Sequence, residues 1–159
     1  MNTRKMVQTA LIIAIGYIGS SLFVISLGFV RIAPLQHMMN IVTSALLGRW
    51  YSLLQAFGVS LLRNMTGTGS LLAFPGSMVG ALLSGFFFRY WRKTWSLAAG
   101  ELIGSGIIGA LLSYPIARIV LSQEATLFAF LPGFFLSSLA GTIIGMVFVK
   151  QLMKRGQIL

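Results

Sequence analysis

Residues Leu35–Leu62 read LQHMMNIVTSALLGRWYSLLQAFGVSLL, and the fold turns on whether they make one helix or two. As one long helix they leave the chain with five apolar spans. With a turn at Gly48-Arg49 they leave it with six. Cytoplasmic loops of membrane proteins carry the excess of Lys and Arg, and that bias separates the two readings. With six spans Arg4, Lys5, Arg49, Arg89, Arg92, Lys93, Lys150, Lys154 and Arg155 lie inside with both termini, against Arg31, Arg63 and Arg118 outside, nine to three. With five, Arg89, Arg92, Lys93 and the basic C-terminus fall outside and the bias reverses. The sequence therefore predicts an all-α membrane protein: a six-transmembrane-helix bundle with both termini cytoplasmic, one integral domain over residues 1–159.

Composition points the same way. The chain is 57% hydrophobic and only 9% charged, with a mean hydropathy of +0.89, where a soluble domain carries roughly 25% charged residues. The net charge of +10 would suggest nucleic acid in a soluble chain. Here topology explains the basic clusters, and no nucleic-acid partner is expected. The acids are Glu101 and Glu124, and there is no Asp or Cys. Disulfides and thiolate chemistry are excluded, a carboxylate-rich Mg²⁺ site is not expected, and the lone His37 makes a poor metal ligand or catalytic base. No cofactor is expected. No GxxxxGK[ST] phosphate loop is present, so any work against a gradient draws its energy from elsewhere.

Outward from the split stretch, the remaining spans are Met6–Leu27, Phe74–Phe88, Trp95–Ile116 and Phe128–Val149. The first follows Arg4 and Lys5 without a small-residue cleavage site and reads as a retained helix. The halves of the split stretch, Leu35–Leu47 and Trp50–Leu62, each cover only about 20 Å at helical rise, against a hydrocarbon core of roughly 30 Å. Helices that stop short leave room at one face. Pro34, Pro75, Pro115 and Pro132 all lie towards the outside, three of them where the second, fourth and sixth spans begin. The expected pocket is therefore at the outer face, beneath irregular loops. Trp50, Trp91 and Trp95 fall at the inner boundary and read as interfacial anchors.

The main outer interruption is RNMTGTGSLLAFPGSMVG, Arg63–Gly80. Irregular backbone at membrane depth is tolerated only where protein covers it or it lines a cavity, so this is either part of a binding site or a connector emerging into water. Arg63 and Asn64 end the third span. The arginine can snorkel, brace loop carbonyls or meet an acceptor-rich ligand. Gln36, His37 and Asn40 open the second span on neighbouring helical positions, as ligand contacts or as a cap and interhelical hydrogen bonds. Thr68, Phe74 and Ser77 on the loop and fourth span, Tyr114 near the end of the fifth, and Phe134 on the sixth complete the candidate lining. Aromatic walls with a few placed polar groups suit a small flat ligand, although each Phe can equally face lipid. Glu101 lies within the fifth span, where a buried acid can mark a proton path. Its closeness to Arg89, Arg92, Lys93 and Lys150 favours a structural ion pair. Small-xxx-small pairs recur at Ala10/Ala14, Gly16/Ser20, Gly100/Gly104 and Gly141/Gly145, the spacing that lets helix backbones approach.

Short spans, inside termini, an Ala-xxx-Ala surface on the first span and no nucleotide site together resemble the substrate-binding S component of energy-coupling factor (ECF) transporters. The stretches APLQHMMN (Ala33–Asn40), LLRNMTGTG (Leu61–Gly69) and LLAFPGSMVGALLSG (Leu71–Gly85) are similar to the ThiW family, associated with uptake of the thiamine precursor hydroxyethylthiazole. The resemblance covers essentially the whole chain. It implies a non-enzymatic binder in the prokaryotic plasma membrane, with a vitamin cavity at the outer face. It also implies docking through Ala10 and Ala14 to a membrane coupling subunit driven by two ATPase subunits. Thiamine-specific relatives use Trp, Tyr and Asn on the last span, and residues 128–149 contain none, which favours a smaller ligand. A thiazole alcohol offers acceptors to Arg63, Asn64, Gln36 and His37, and a ring for Phe74 or Tyr114. The different-class alternative is a self-sufficient proton-coupled carrier using Glu101.

Overall fold

The computed structural model describes residues 2–27, 30–122, 124, 126 and 128–158. Gly28, where the sequence reading breaks the first apolar run, lies outside them. Six helices follow in order: α1 (Thr3–Leu22), α2 (Pro34–Leu47), α3 (Arg49–Met65), α4 (Ala73–Trp91), α5 (Thr94–Val120) and α6 (Leu131–Lys154). Between α1 and α2 a hairpin pairs β1 (Ile25–Leu27) with β2 (Val30–Ile32), antiparallel, with Ile25 opposite Ile32. Three helices, α1, α5 and α6, are long and apolar enough to cross a membrane. α2, α3 and α4 have 14, 17 and 19 residues.

The split of Leu35–Leu62 is present. α2 ends at Leu47, α3 starts at Arg49, and Gly48 alone joins them. Gly48 sits at φ 92°, in the left-handed region where a Cβ is strained, which is why the reversal needs glycine. The hairpin is zipped by hydrogen bonds: Ser44 Oγ donates to Ser52 Oγ at 2.8 Å, and Gln36 Nε2 to Ser60 Oγ at 3.0 Å. Ser52 Oγ also donates to the Asn40 carbonyl at 2.9 Å.

α4 and α5 also run antiparallel, with Ser84 Oγ donating to Leu97 O at 3.0 Å and Ser105 Oγ to Gly76 O at 2.8 Å, and glycines bring their backbones closer still. A Cβ on Gly104 would lie 2.5 Å from Gly80 Cα, and one on Gly109 would strike Gly76 Cα. Gly100 meets the Ser84 backbone in the same way. α6 runs parallel to α2, with Gly141 against Pro34 and His37 and Gly145 against Ile41. The small-xxx-small pairs at 100/104 and 141/145 are thus packing seams. On α1, Gly16 and Ser20 are buried against the bundle, whereas Ala10 and Ala14 are exposed beside Leu11, Ile15 and Ile18.

Two expectations need correction. The first apolar run does not stay helical to Leu27: α1 stops at Leu22, where Phe23 N–H caps Gly19 O at 2.9 Å, and the chain turns to strand. The sequence at positions 24, 25, 30 and 32 is β-branched, a residue class that favours extended backbone. The fifth helix does not stop at Ile116 but continues to Val120. Pro115 removes one backbone donor, and the turns beyond it widen to π-type over Ile116–Val120, as they do over Leu102–Gly109. Such widening lets a helix continue past a disturbance.

The N-terminus, the α2–α3 turn, the α4–α5 turn and the C-terminal segment share one end. Asn2 N–H donates to Tyr51 Oη at 3.0 Å, and Ile158 is buried with Ile41, Val42, Ala45, Phe88, Leu97 and Val149. The nine basic residues counted above, Arg4 to Arg155, gather at this terminal end. Trp50, Trp91 and Trp95 stand there too, all exposed. The β-hairpin, the loop at residues 66–72 and the segment before α6 form the opposite, loop end.

Candidate functional site

α2 is short and polar on the faces it buries. Gln36, His37, Asn40, Thr43 and Ser44 are all buried, which a lipid-facing helix would not allow. Gly141 and Gly145 bring α6 close on one side, while α3 and α4 flank the others.

The centre of the arrangement is Glu101 on α5, which has no exposed surface. Its Oε1 lies 2.8 Å from His37 Nδ1, and accepts from Asn40 Nδ2 at 3.0 Å and Ser105 Oγ at 2.7 Å. Ser84 Oγ donates to Oε2 at 3.3 Å. Burying a carboxylate costs several kcal/mol, by order of magnitude, unless donors surround it, and four side chains from three helices supply them. Room for the carboxylate comes from Gly80, where a Cβ would sit 2.9 Å from each Glu101 oxygen. The sequence reading paired Glu101 with Arg89, Arg92, Lys93 or Lys150. The structure pairs it with His37 and Asn40 instead, because Glu101 points across the bundle to α2 while Arg89, Arg92, Lys93 and Lys150 are exposed at the helix ends.

A second network adjoins it towards the loop end. Arg63 Nη1 donates to Gln36 Oε1, and Arg63 Nη2 donates to Thr68 O at 3.0 Å. The Thr68 and Gly69 N–H groups both return to Arg63 O at 2.9 Å. Of the three roles open to Arg63, bracing the glycine loop is the one its contacts describe. Thr68 is exposed, its hydroxyl 3.0 Å from Ser21 Oγ. Asn64 is half-buried in the last turn of α3, its carbonyl accepting from Gly67 N–H at 3.2 Å.

Several polar atoms in and beside these networks have no partner, among them Thr43 Oγ1 and Arg63 Nε. Asn40 Nδ2 reaches the Ser77 carbonyl at 3.2 Å, which sets the two residues side by side. Asn40 Oδ1 and Ser77 Oγ are nevertheless buried without hydrogen bonds, as is Thr142 Oγ1 on α6. An unpaired buried group of this kind costs about 1–3 kcal/mol and is recovered when a ligand or water supplies the bond. Nearby walls are aromatic and backbone: the Phe134 ring lies over Gly76, where a Cβ would come within 2.6 Å of Cε1. Phe74 meets Phe57 edge to face at 5.8 Å.

Of the residues singled out in the sequence, Gln36, His37, Asn40, Arg63 and Ser77 are thus buried together, with Phe74 and Phe134 half-buried on α4 and α6. Tyr114 belongs elsewhere: its hydroxyl accepts from the exposed Arg118 at 3.0 Å, one helical turn away. Sequence reasoning missed Ser60, Ser84 and Ser105, whose spacing from Gln36 and Glu101 becomes visible only once the helices are paired. It also missed Gln55, buried with both amide atoms unpartnered near Gly16.

A family model described as thiamine-precursor transporter protein (ThiW) matches residues 6–155. The chain belongs to the ThiW family. That makes it a membrane protein of a thiamine-precursor transporter family, consistent with the exposed apolar faces of α1, α5 and α6. The match runs through all six helices, so the ThiW assignment rests on the whole bundle and not on one motif. Among curated proteins, none matches the chain.

Proposed function

We propose that this ThiW chain is the substrate-binding S component of an ECF-type importer. It takes hydroxyethylthiazole from the loop end and delivers it by reorienting when a membrane coupling subunit and two ATPase subunits turn over. The observation that carries the reading is the orphaned pair Asn40 Oδ1 and Ser77 Oγ, buried side by side within a thiamine-precursor transporter bundle. A thiazole alcohol matches it: the ligand hydroxyl donates to Asn40 Oδ1 and accepts from Ser77 Oγ–H, while the ring rests against Phe134 or Phe74. Gln36 and Arg63 position this pair by holding α2, α3 and the glycine loop together, and His37 by tying α2 to Glu101 on α5. Asn64 and Thr68 sit at the mouth.

The basic terminal end supports a cytoplasmic placement of both termini, with all six helices spanning a cell membrane. The exposed Ala10/Ala14 face of α1 supports docking to the coupling subunit, since two small residues one turn apart let another helix approach closely. Ala14→Leu is expected to spare thiazole binding and to disrupt co-purification with the coupling subunit. Unchanged co-purification removes that face from the interface.

One observation favours the second reading, a self-sufficient proton-coupled carrier: Glu101 is fully buried and shares a hydrogen bond with a histidine. Uptake in reconstituted vesicles separates the two. The S-component reading expects no transport without the coupling and ATPase subunits, and ATP-dependent transport with them. Transport by the chain alone, driven by a proton gradient and lost in Glu101→Gln with binding intact, establishes the carrier.

A further inference from the structure

The terminal end of the bundle holds a cavity of about 470 Å³ between the start of α3 and the end of α4, lined in part by Lys5, Arg49, Arg89 and Arg92. No carboxylate stands among its described lining residues. The positive-inside bias explains why the end is basic, but not why an arginine is drawn inward. Arg49 packs its backbone on Gly85, where a Cβ would come within 2.5 Å of Arg49 Cα. Its guanidinium carbon lies 5.3 Å from the Trp50 ring centre and 5.5 Å from that of Phe86. Its Nε is buried without a hydrogen-bond partner. A charged N–H donor withdrawn from water in a cavity with no acid calls for an anionic acceptor.

The backbone supplies donors too. α3 begins in this cavity at Gly48, which has no side chain to cap it, so the free N–H groups at the start of a 17-residue helix open towards the same space. The carbonyl ends of α2 and α4 also reach it and leave the positive field to the basic side chains. Trp50 lines the cavity and is 65% exposed, an aromatic of the kind that settles at headgroup level.

We propose that this cavity binds the phosphate of an anionic membrane-lipid headgroup, with Arg49 as the inner ligand and Lys5 and Arg89 at the rim. The phosphate oxygens take the Arg49 guanidinium and the first N–H groups of α3. The acyl chains run along the exposed apolar side of α4 past Phe86. The site lies at the opposite end from the thiazole site and neither depends on the other.

The test is native mass spectrometry of the full chain in detergent, titrated in parallel with phosphatidylglycerol, phosphatidylcholine and inorganic phosphate. The wild-type chain retains phosphatidylglycerol over phosphatidylcholine. Arg49→Gln and Arg89→Gln each weaken phosphatidylglycerol about fivefold, the effect of one basic residue at an anionic headgroup, and leave phosphatidylcholine unchanged. Arg89 is exposed, so its variant serves if Arg49→Gln fails to fold. Arg155→Gln removes one charge from the same end outside the cavity and leaves the titration unaltered. The proposal is overturned by no preference for phosphatidylglycerol or by equal weakening in Arg155→Gln. Arg49-dependent binding of inorganic phosphate as tight as that of the lipid also overturns it, in favour of a free anion.

Discussion

The α2–α3 and α4–α5 hairpins differ in how close their backbones come. The first is joined through side chains, with Ser44 on Ser52, Gln36 on Ser60 and Arg63, and Asn40 receiving Ser52. The second brings its backbones together at Gly76, Gly80, Gly100, Gly104 and Gly109, and adds serine bonds across the seam, Ser84 Oγ to Leu97 O and Ser105 Oγ to Gly76 O. Between helices in lipid the hydrophobic effect offers little, so close backbone packing and interhelical hydrogen bonds are the available forces. Here the α2–α3 hairpin uses hydrogen bonds, and the α4–α5 hairpin uses both. Their meeting point is Glu101, a polar side chain from the glycine-packed pair that reaches into the hydrogen-bonded pair through the gap Gly80 leaves. The candidate site exists where the two hairpins meet.

Changes at the junction should therefore cost more than changes within either hairpin. His37→Ala takes one donor from a fully buried carboxylate and is expected to destabilise by about 3–5 kcal/mol. Thermal unfolding in detergent reads this, and a cycle with Glu101→Ala checks whether the two losses couple. Additive losses would detach His37 from Glu101. Gly104→Ala pushes a methyl into Gly80 and is expected to cost about 1–3 kcal/mol by overpacking. A neutral result there would mean that the α4–α5 seam can open. Ser44→Ala loses a bond to Ser52 and another to Ala81 O, with an expected loss of about 1 kcal/mol. Exposed Thr68→Ala should stay within about 0.5 kcal/mol of wild type. Any other order of effects breaks the contrast between the two hairpins.

The split at Gly48 and the gathering of basic residues at one end are both legible in the sequence, because a charge count along the chain registers which turns share a side. Gln36, His37 and Asn40 are legible too, since polar side chains in so apolar a helix must face protein. The β-hairpin is not, because its apolar residues extend the first hydrophobic run without a change of period. Charge proximity in the sequence pairs Glu101 with nearby basic residues, whereas Asn40 and His37 reach it from 61 and 64 residues away on another helix. Tyr114, an aromatic candidate from the sequence, has its hydroxyl on Arg118 one turn along α5. The expected outer pocket follows from short helices and prolines. The cavities outlined by Lys5–Arg92 and by Arg92–Lys154 open at the opposite, terminal end.

Calorimetric titration of the purified chain with hydroxyethylthiazole, beside Asn40→Ala, bears most directly on the claim that the buried junction is the substrate site. The account predicts saturable binding by the wild-type chain and a loss of about 1–3 kcal/mol in the variant, from removal of one buried hydrogen-bonding partner. Equal affinity in both proteins, or no binding by the wild type, would contradict it.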